Sequence, residues 1–158
     1  MFRDLLRKKQ QLSNEHCIKI LKQEKRGFLS VLGDDDYPYV LPINYYFDEK
    51  DGAIYFHTGK CGHKLDSIKK HGKVSFCVVD GGHTKDGDWA LNFNSVIVFG
   101  KIEIIENLQE IIDISYKLSR KFTDDEDYIK KEIQGFSHLT ILLKLTPLHM
   151  CGKSVNES

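Results

Sequence analysis

The chain has 158 residues, 41% of them apolar and 29% charged, and its 23 Lys and Arg balance 23 Asp and Glu to a formal net charge of zero. This length fits one domain of common size, taken here as residues 1–158, and excludes two large catalytic domains; the apolar content excludes disorder as the main state. Zero net charge excludes a protein that coats nucleic acid, because non-specific phosphate binding draws on excess cations, and it does little to hold copies apart.

Ser13 predicts the N-cap of a helix through Arg26, with Cys17, Ile18, Ile20 and Leu21 as its apolar stripe and Gly27 as its stop. Phe28 to Leu32 reads as a strand, Gly33 to Asp36 as a turn, and Tyr39 to Phe47 as a second, aromatic-rich strand. Asp51-Gly52 closes a hairpin into a third strand, Ala53 to Thr58. Gly59-Lys60-Cys61-Gly62 leads into a short helix, His63 to His71, in which Leu65 and Ile68 share one face. Lys73 to Val79 is a fourth strand and Asn94 to Glu106 a fifth, where Gly100 signals a bulge or a close backbone approach. A polar, Gly-rich segment, Asp80 to Phe93, lies between them. Asn107 caps an amphipathic helix reaching Phe122, and Thr123 with Glu126 forms a capping-box pattern for another. Leu139 to Leu145 alternates as a last strand that Pro147 terminates.

Six strands joined mostly by short hairpins predict a mainly β (α+β) fold, an antiparallel barrel with flanking helices rather than a doubly wound parallel sheet. Residues 1–12 and 154–158 read as frayed ends. Cys17, Cys61, Cys77 and Cys151 are scattered with no CxxC pair, which fits a reduced, cytoplasmic setting. The N-terminal residues lack a signal peptide's apolar run, and no stretch approaches the roughly 20 apolar residues of a membrane span, so no membrane partner is expected.

The chemically informative stretch runs from Tyr37 to Lys73. Pro42 cannot donate to a ladder, so its strand must be an edge or open toward something other than protein, and a planar cofactor with its own donors and acceptors fits that opening. Thr58 to Lys64 combines small residues, a helix start with free N–H groups, and the cations His63 and Lys64, the parts of a phosphate site. No catalytic triad is visible. His57, Cys61 and His63 hold imidazole and thiolate groups, but their spacing matches no zinc finger, and no metal is assigned. Cys61 reads either as a redox-sensitive thiol or as an inert loop cysteine, and Trp89 either as part of a lid or as an anchor of its segment.

The ordered series Tyr37-Pro38-Tyr39, Pro42-Ile43-Asn44-Tyr45, Ile54-Tyr55-Phe56-His57, Gly62-His63-Lys64-Leu65-Asp66-Ser67-Ile68, Val74 to Val78 and Ser95 to Gly100 resembles the pyridoxamine 5'-phosphate oxidase-like FMN-binding split barrels. Within them it is most similar to the nitroimidazole-resistance (Nim) proteins. The resemblance implies a homodimer with FMN in a groove between subunits. By position, Pro42, Ile43, Asn44 and Tyr45 would face the isoalloxazine with backbone groups, and Tyr45 is the aromatic side chain best placed to stack on a ring. His57, Thr58 and Gly59 would line the flavin and ribityl chain, His63 and Lys64 would hold the phosphate, and Ser95 and Val96 would contribute from the fifth strand. His63 stands where the family commonly has arginine. His57 matches the histidine for which the Nim-like proteins are known; its other reading is a strand-end histidine bonded to backbone. Gly152-Lys153 resembles the family's terminal Gly-Lys. The function so implied is a flavoprotein oxidoreductase that takes electrons from NADH or NADPH and reduces a small molecule. The alternative is a non-enzymatic flavin-binding or haem-binding store or sensor, to which the seven histidines lend some support.

Overall fold

A computed structural model describes residues 2–157; Met1 and Ser158, at the two ends that read as frayed, lie outside the described residues. Ser13 accepts from the His16 amide and opens α1 (Asn14–Gln23). The helix stops three residues short of Arg26, because Gly27 is not its stop. Gly27 belongs to β1 (Arg26–Leu32), where a Cβ would sit 2.4 Å from the Phe76 ring, so glycine lets a strand pass over an aromatic ring. The chain continues through β2 (Pro38–Asn44), β3 (Tyr46–Asp48), β4 (Ala53–Gly59), α2 (His63–Lys70), β5 (Lys73–Val79), β6 (His83–Thr84), β7 (Leu91–Ile105), α3 (Leu108–Arg120), α4 (Glu126–Phe136) and β8 (Thr140–Asn156).

All pairings are antiparallel, and the sheet runs β2-β1-β5-β7-β8-β4-β3, with β6 beside β7. The expected barrel with flanking helices is there, but the path holds seven strands rather than six. The added strand comes from a break at Tyr45. The expected continuous strand to Phe47 divides there, its first part pairing with β1 and its last with β4, at opposite ends of the path. Since β2 and β3 are consecutive in the chain and terminal in the sheet, the sheet has to curl until its ends meet. Tyr45 is fully buried, edge-on to Phe76 at 5.0 Å, and its carbonyl accepts from Lys121 Nζ at 3.0 Å.

Inside the curl, Leu29, Val31, Phe56, Phe76, Val78, Val96, Val98 and Leu143 form the main core, sealed by Leu21 of α1 and Leu65 and Ile68 of α2. Each such fully buried side chain stabilises by about 1.5–3 kcal/mol relative to exposure. Outside it, Ile111 and Ile114 of α3 cover Ala53, Tyr55 and Leu142. That second layer explains why Ala53, Ile54, Tyr55 and Phe56 are all buried despite strand alternation: β4 is covered on both faces.

Two further expectations are corrected. Pro147 does not end the last strand, which runs on to Asn156. A register shift between Phe99 and Gly100 pairs Gly100 with Pro147 and Phe99 with His149, and a bulge is a place where a proline's missing donor is tolerated. Residues Ser154 to Asn156 thus lie in β8, and Leu12 donates its amide to the Gly152 carbonyl. The cap of α4 is Asp125, whose carboxylate accepts from the Tyr128 amide, while Thr123 accepts from the Asp125 amide one step earlier. No helix among the described residues is long and apolar enough to cross a membrane.

A Cβ at Gly100 would lie 2.3 Å from the Thr146 carbonyl oxygen, a backbone atom that cannot step aside. Gly100→Ala is expected to lower stability by about 1–3 kcal/mol with the fold retained. Chemical denaturation followed by circular dichroism checks this, and an unchanged midpoint would refute the close approach.

Candidate functional site

The site lies where the curled sheet fails to close. Among the described residues β2 is bonded to β1 alone, leaving its other edge free. β4 pairs with β3 only through Tyr55, so beyond it His57, Thr58 and Gly59 are bonded to β8 on one side and to no strand on the other. These two edges approach each other without forming a ladder. Arg26, Pro42, Ile43, Asn44 and His57 line the groove between them, about 470 Å³ in volume. Pro42 therefore sits at an edge, as a proline in a strand must. Arg26 Nε donates to Asn44 Oδ1 at 2.9 Å, which fixes the amide at the rim.

After β4 the chain turns through Gly62, whose φ of +120° is a backbone conformation that side chains rarely adopt, and α2 starts at His63. Lys64, half-buried in the first turn of α2, has no hydrogen bond or ion pair among the described residues. Burial lowers its pKa from the usual lysine value. His57 opens onto the groove at the end of β4, and its pKa is also lowered, first by the surrounding protein and then by the Lys64 charge. Lys64, beside the neutral His57 ring and with no counter-charge among the described residues, makes this corner electropositive, the natural seat of an anion.

His63 is turned to other partners. Its ring stacks on Tyr39 at 4.4 Å, and Nε2 lies 3.6 Å from Asp34, which Lys70 also approaches at 3.1 Å. Lys70, first by its hydrogen bond, and then His63 hold the Asp34 carboxyl below its usual pKa.

Pro42, Ile43, Asn44 and His57 are brought together, with Thr58 and Gly59 next along the same free edge. Tyr45 is not among the exposed residues: its side chain is in the core, its hydroxyl finds no partner there, and Lys121 takes its carbonyl, so it cannot stack on a ring in the groove. Ser95 and Val96 are also remote within one chain. The part of β7 that neighbours β4's partner Leu142 is Ile105, at the opposite end of that long strand, and Val96 is fully buried. Cys61 and Trp89 are exposed, Trp89 at 76%. Among the described residues no three metal-ligating side chains cluster.

Sequence reasoning missed Arg26, because it was assigned to the end of a helix. It also missed that α3 and α4 wall a second cavity, about 320 Å³, which shares Asn44 and His57 with the groove. The one available signal was the set of aromatics Phe122, Tyr128 and Phe136 left outside the core.

An antiparallel barrel left open along one seam, with strand edges and a cationic helix start at the opening, defines a split barrel. The family profile described as pyridoxamine 5'-phosphate oxidase matches residues 13–154, and the chain belongs to that family. None of the curated proteins matches. Among solved structures the fold is shared with a candidate 5-nitroimidazole antibiotic resistance protein of Bacteroides thetaiotaomicron (21% identity over 92% of this chain and 87% of that one, TM-score 0.76). It is shared also with an FAD-binding protein of Mesorhizobium loti (22% identity, 92% and 96%, TM-score 0.66). The third is the flavocytochrome Anf3 of Azotobacter vinelandii (19% identity, 90% and 67%, TM-score 0.69).

The depressed His57 pKa has a definite sign. Its contribution to stability is intact above the unfolded value near 6.5 and is lost as the pH falls through the lower folded value. In the protein without added ligand, the His57 ring is expected to titrate below 6.5, and Lys64→Met to raise that midpoint part of the way back. Histidine NMR titration reads both, and a midpoint indifferent to Lys64 would show that the two groups do not form one corner.

Proposed function

We propose that the chain is a flavin-dependent oxidoreductase that holds FMN in the groove between β2 and β4, completed by a second copy of itself. The groove carries the reading. Two strand edges offer backbone donors and acceptors that no strand uses, and an unpaired lysine waits at the end of the opening. Unpaired backbone groups need partners, and a flat ring with polar edges supplies them where a further strand is missing. Lys64 and the amides at the start of α2 would hold a terminal phosphate, with one cationic anchor suited to the single phosphate of FMN. His63 would join them only by leaving Asp34 and Tyr39. When bound, a flavin supplies electron transfer between a donor and an acceptor, while His57, Thr58 and Gly59 position its ring and Arg26 with Asn44 forms the rim. Family membership and the FAD-binding and flavocytochrome neighbours support this chemistry.

A homodimer is the arrangement in which Ser95 and Val96 would reach a groove, namely that of the partner. Support comes from the outer face of the sheet, where Pro42, Phe28, Cys77, Ile97 and Cys151 fall in one cross-strand row and Phe28 and Ile97 stay exposed at 48% and 40%. Apolar side chains in register on an uncovered face favour burial against a second copy, and zero net charge adds no long-range repulsion. The proposed donor is NADH or NADPH and the acceptor a small molecule; the Bacteroides neighbour supports including 5-nitroimidazoles among the acceptors tested. The alternative, haem or flavin held as a store or sensor, draws on the flavocytochrome neighbour.

An absorption spectrum of the protein, with FMN added if it is colourless, separates these readings. Paired near-ultraviolet and blue bands that bleach with NADH or NADPH under nitrogen support the oxidoreductase; a single intense Soret band supports haem; a protein that takes up no flavin removes the proposal. Lys64→Ala is expected to weaken FMN binding by about 1.5–3 kcal/mol, read by fluorescence titration, and unchanged affinity takes Lys64 out of the phosphate site. His57→Ala is expected to keep the fold and the flavin but slow its oxidation by the acceptor in stopped flow. Normal rates would leave His57 as a wall of the groove only.

A further inference from the structure

The second cavity, walled by α3 and α4, shares Asn44 and His57 with the groove. Its volume, about 320 Å³, is at the small end of ligand sites and suits a molecule of one ring with a short substituent. Among the described residues neither lysine nor arginine lines it. The one acidic residue in its wall is Glu132, half-buried on α4 and without a hydrogen bond or ion pair among the described residues. Three aromatic rings, Phe122, Tyr128 and Phe136, share the wall and remain exposed, at 41%, 56% and 55%.

We propose that this cavity binds a small organic cation, a protonated amine or quaternary ammonium carried on a one-ring apolar body. An unpaired carboxylate attracts the charge, and the faces of aromatic rings attract it again through their quadrupoles while the apolar walls take the ring. The wall's one basic side chain among the described residues, His57, adds no opposing charge at neutral pH, because its pKa is lowered from the ordinary value by the surrounding protein and then by Lys64. A phosphorylated ligand meets the opposite situation, a carboxylate with no lysine or arginine in the same wall, the nearest cations, Arg26 and Lys64, lying beyond Asn44 and His57 on the groove side, so the cavity selects against anions of the kind for which the family is named. That the bound molecule lies on the substrate side of a flavin rests on the preceding proposal; the charge preference does not.

The test uses three ring-matched probes, benzyltrimethylammonium, benzyl alcohol and benzyl phosphate, titrated into the purified protein by NMR and calorimetry, with FMN uptake measured separately on the same samples. The cation is expected to bind about tenfold more tightly than the alcohol and to shift the His57 resonances, with the phosphate weakest. Glu132→Gln should abolish the difference between cation and alcohol while leaving the alcohol's affinity and the melting temperature unchanged; Phe136→Leu should weaken the cation severalfold. Equal affinities, preference for the phosphate, or a cation preference that survives Glu132→Gln overturns the proposal. Cation binding in a protein that refuses FMN would defeat the flavin reading alone, and FMN uptake without any cation preference would defeat this one alone.

Discussion

Everything in this structure depends on one crossing of the chain. Between Asn44 and Tyr46 the polypeptide leaves the end of the sheet that holds β1 and enters the end that holds β4, and a single residue, Tyr45, bridges the two. Lys121 secures the crossing: its ammonium donates to the Glu24 carbonyl at 2.5 Å and the Tyr45 carbonyl at 3.0 Å, and lies 4.1 Å from the centre of the Tyr45 ring. Burial brings its pKa down to about 8, the cost of keeping a cation where two carbonyls and a ring require one. Were β2 to continue straight into a longer hairpin with β4, its free edge would be used up and there would be no groove. The opening is therefore made by the same break that makes the barrel.

Much of this was legible in the sequence. Caps at Ser13 and Asn107, the Asp51-Gly52 hairpin, the shared face of Leu65 and Ile68, and the special role of Gly100 follow from local rules whose physics acts over a few residues. So did Pro42 as an edge residue, because a missing donor has the same meaning in any context. What was not legible depends on distant packing. Tyr45 sits in an alternating aromatic run that looks like continuous strand, and only its burial against Phe76 and its carbonyl's capture by Lys121, the C-cap of α3, break that run. Pro147 ends strands by local logic, yet an opposing bulge at Gly100 accommodates it. Gly27 looks like a helix stop and is in fact a strand residue packed against the Phe76 ring.

The candidate site shows the same division. Lys64 could be named because its place at a helix start is local, whereas His57 was named through the family resemblance. Glu132 and the aromatics around it could not, since α3 and α4 are joined to the groove only by how the helices lie on the outside of β4. The two cavities sharing Asn44 and His57 also have opposite electrostatic character: Arg26 lines the groove and Lys64 stands beside His57, while the neighbouring cavity contains the carboxylate of Glu132.

The long strand β8 bears on how this molecule comes to be folded. Its first half pairs with β4 as well as β7, so His57 meets Leu142 and Ile54 meets Leu145, contacts that join early and late parts of the chain across three intervening helices. Such non-local pairings require large loops to be closed before they return any stabilisation, which makes folding slow relative to a helical domain of equal size. The β1–β2 hairpin can form alone, but β4 acquires its place in the barrel only when β8 arrives. During synthesis the opening between β2 and β4 thus cannot exist until β8 has been made, and any ligand of that groove is met by a finished barrel rather than by a folding intermediate.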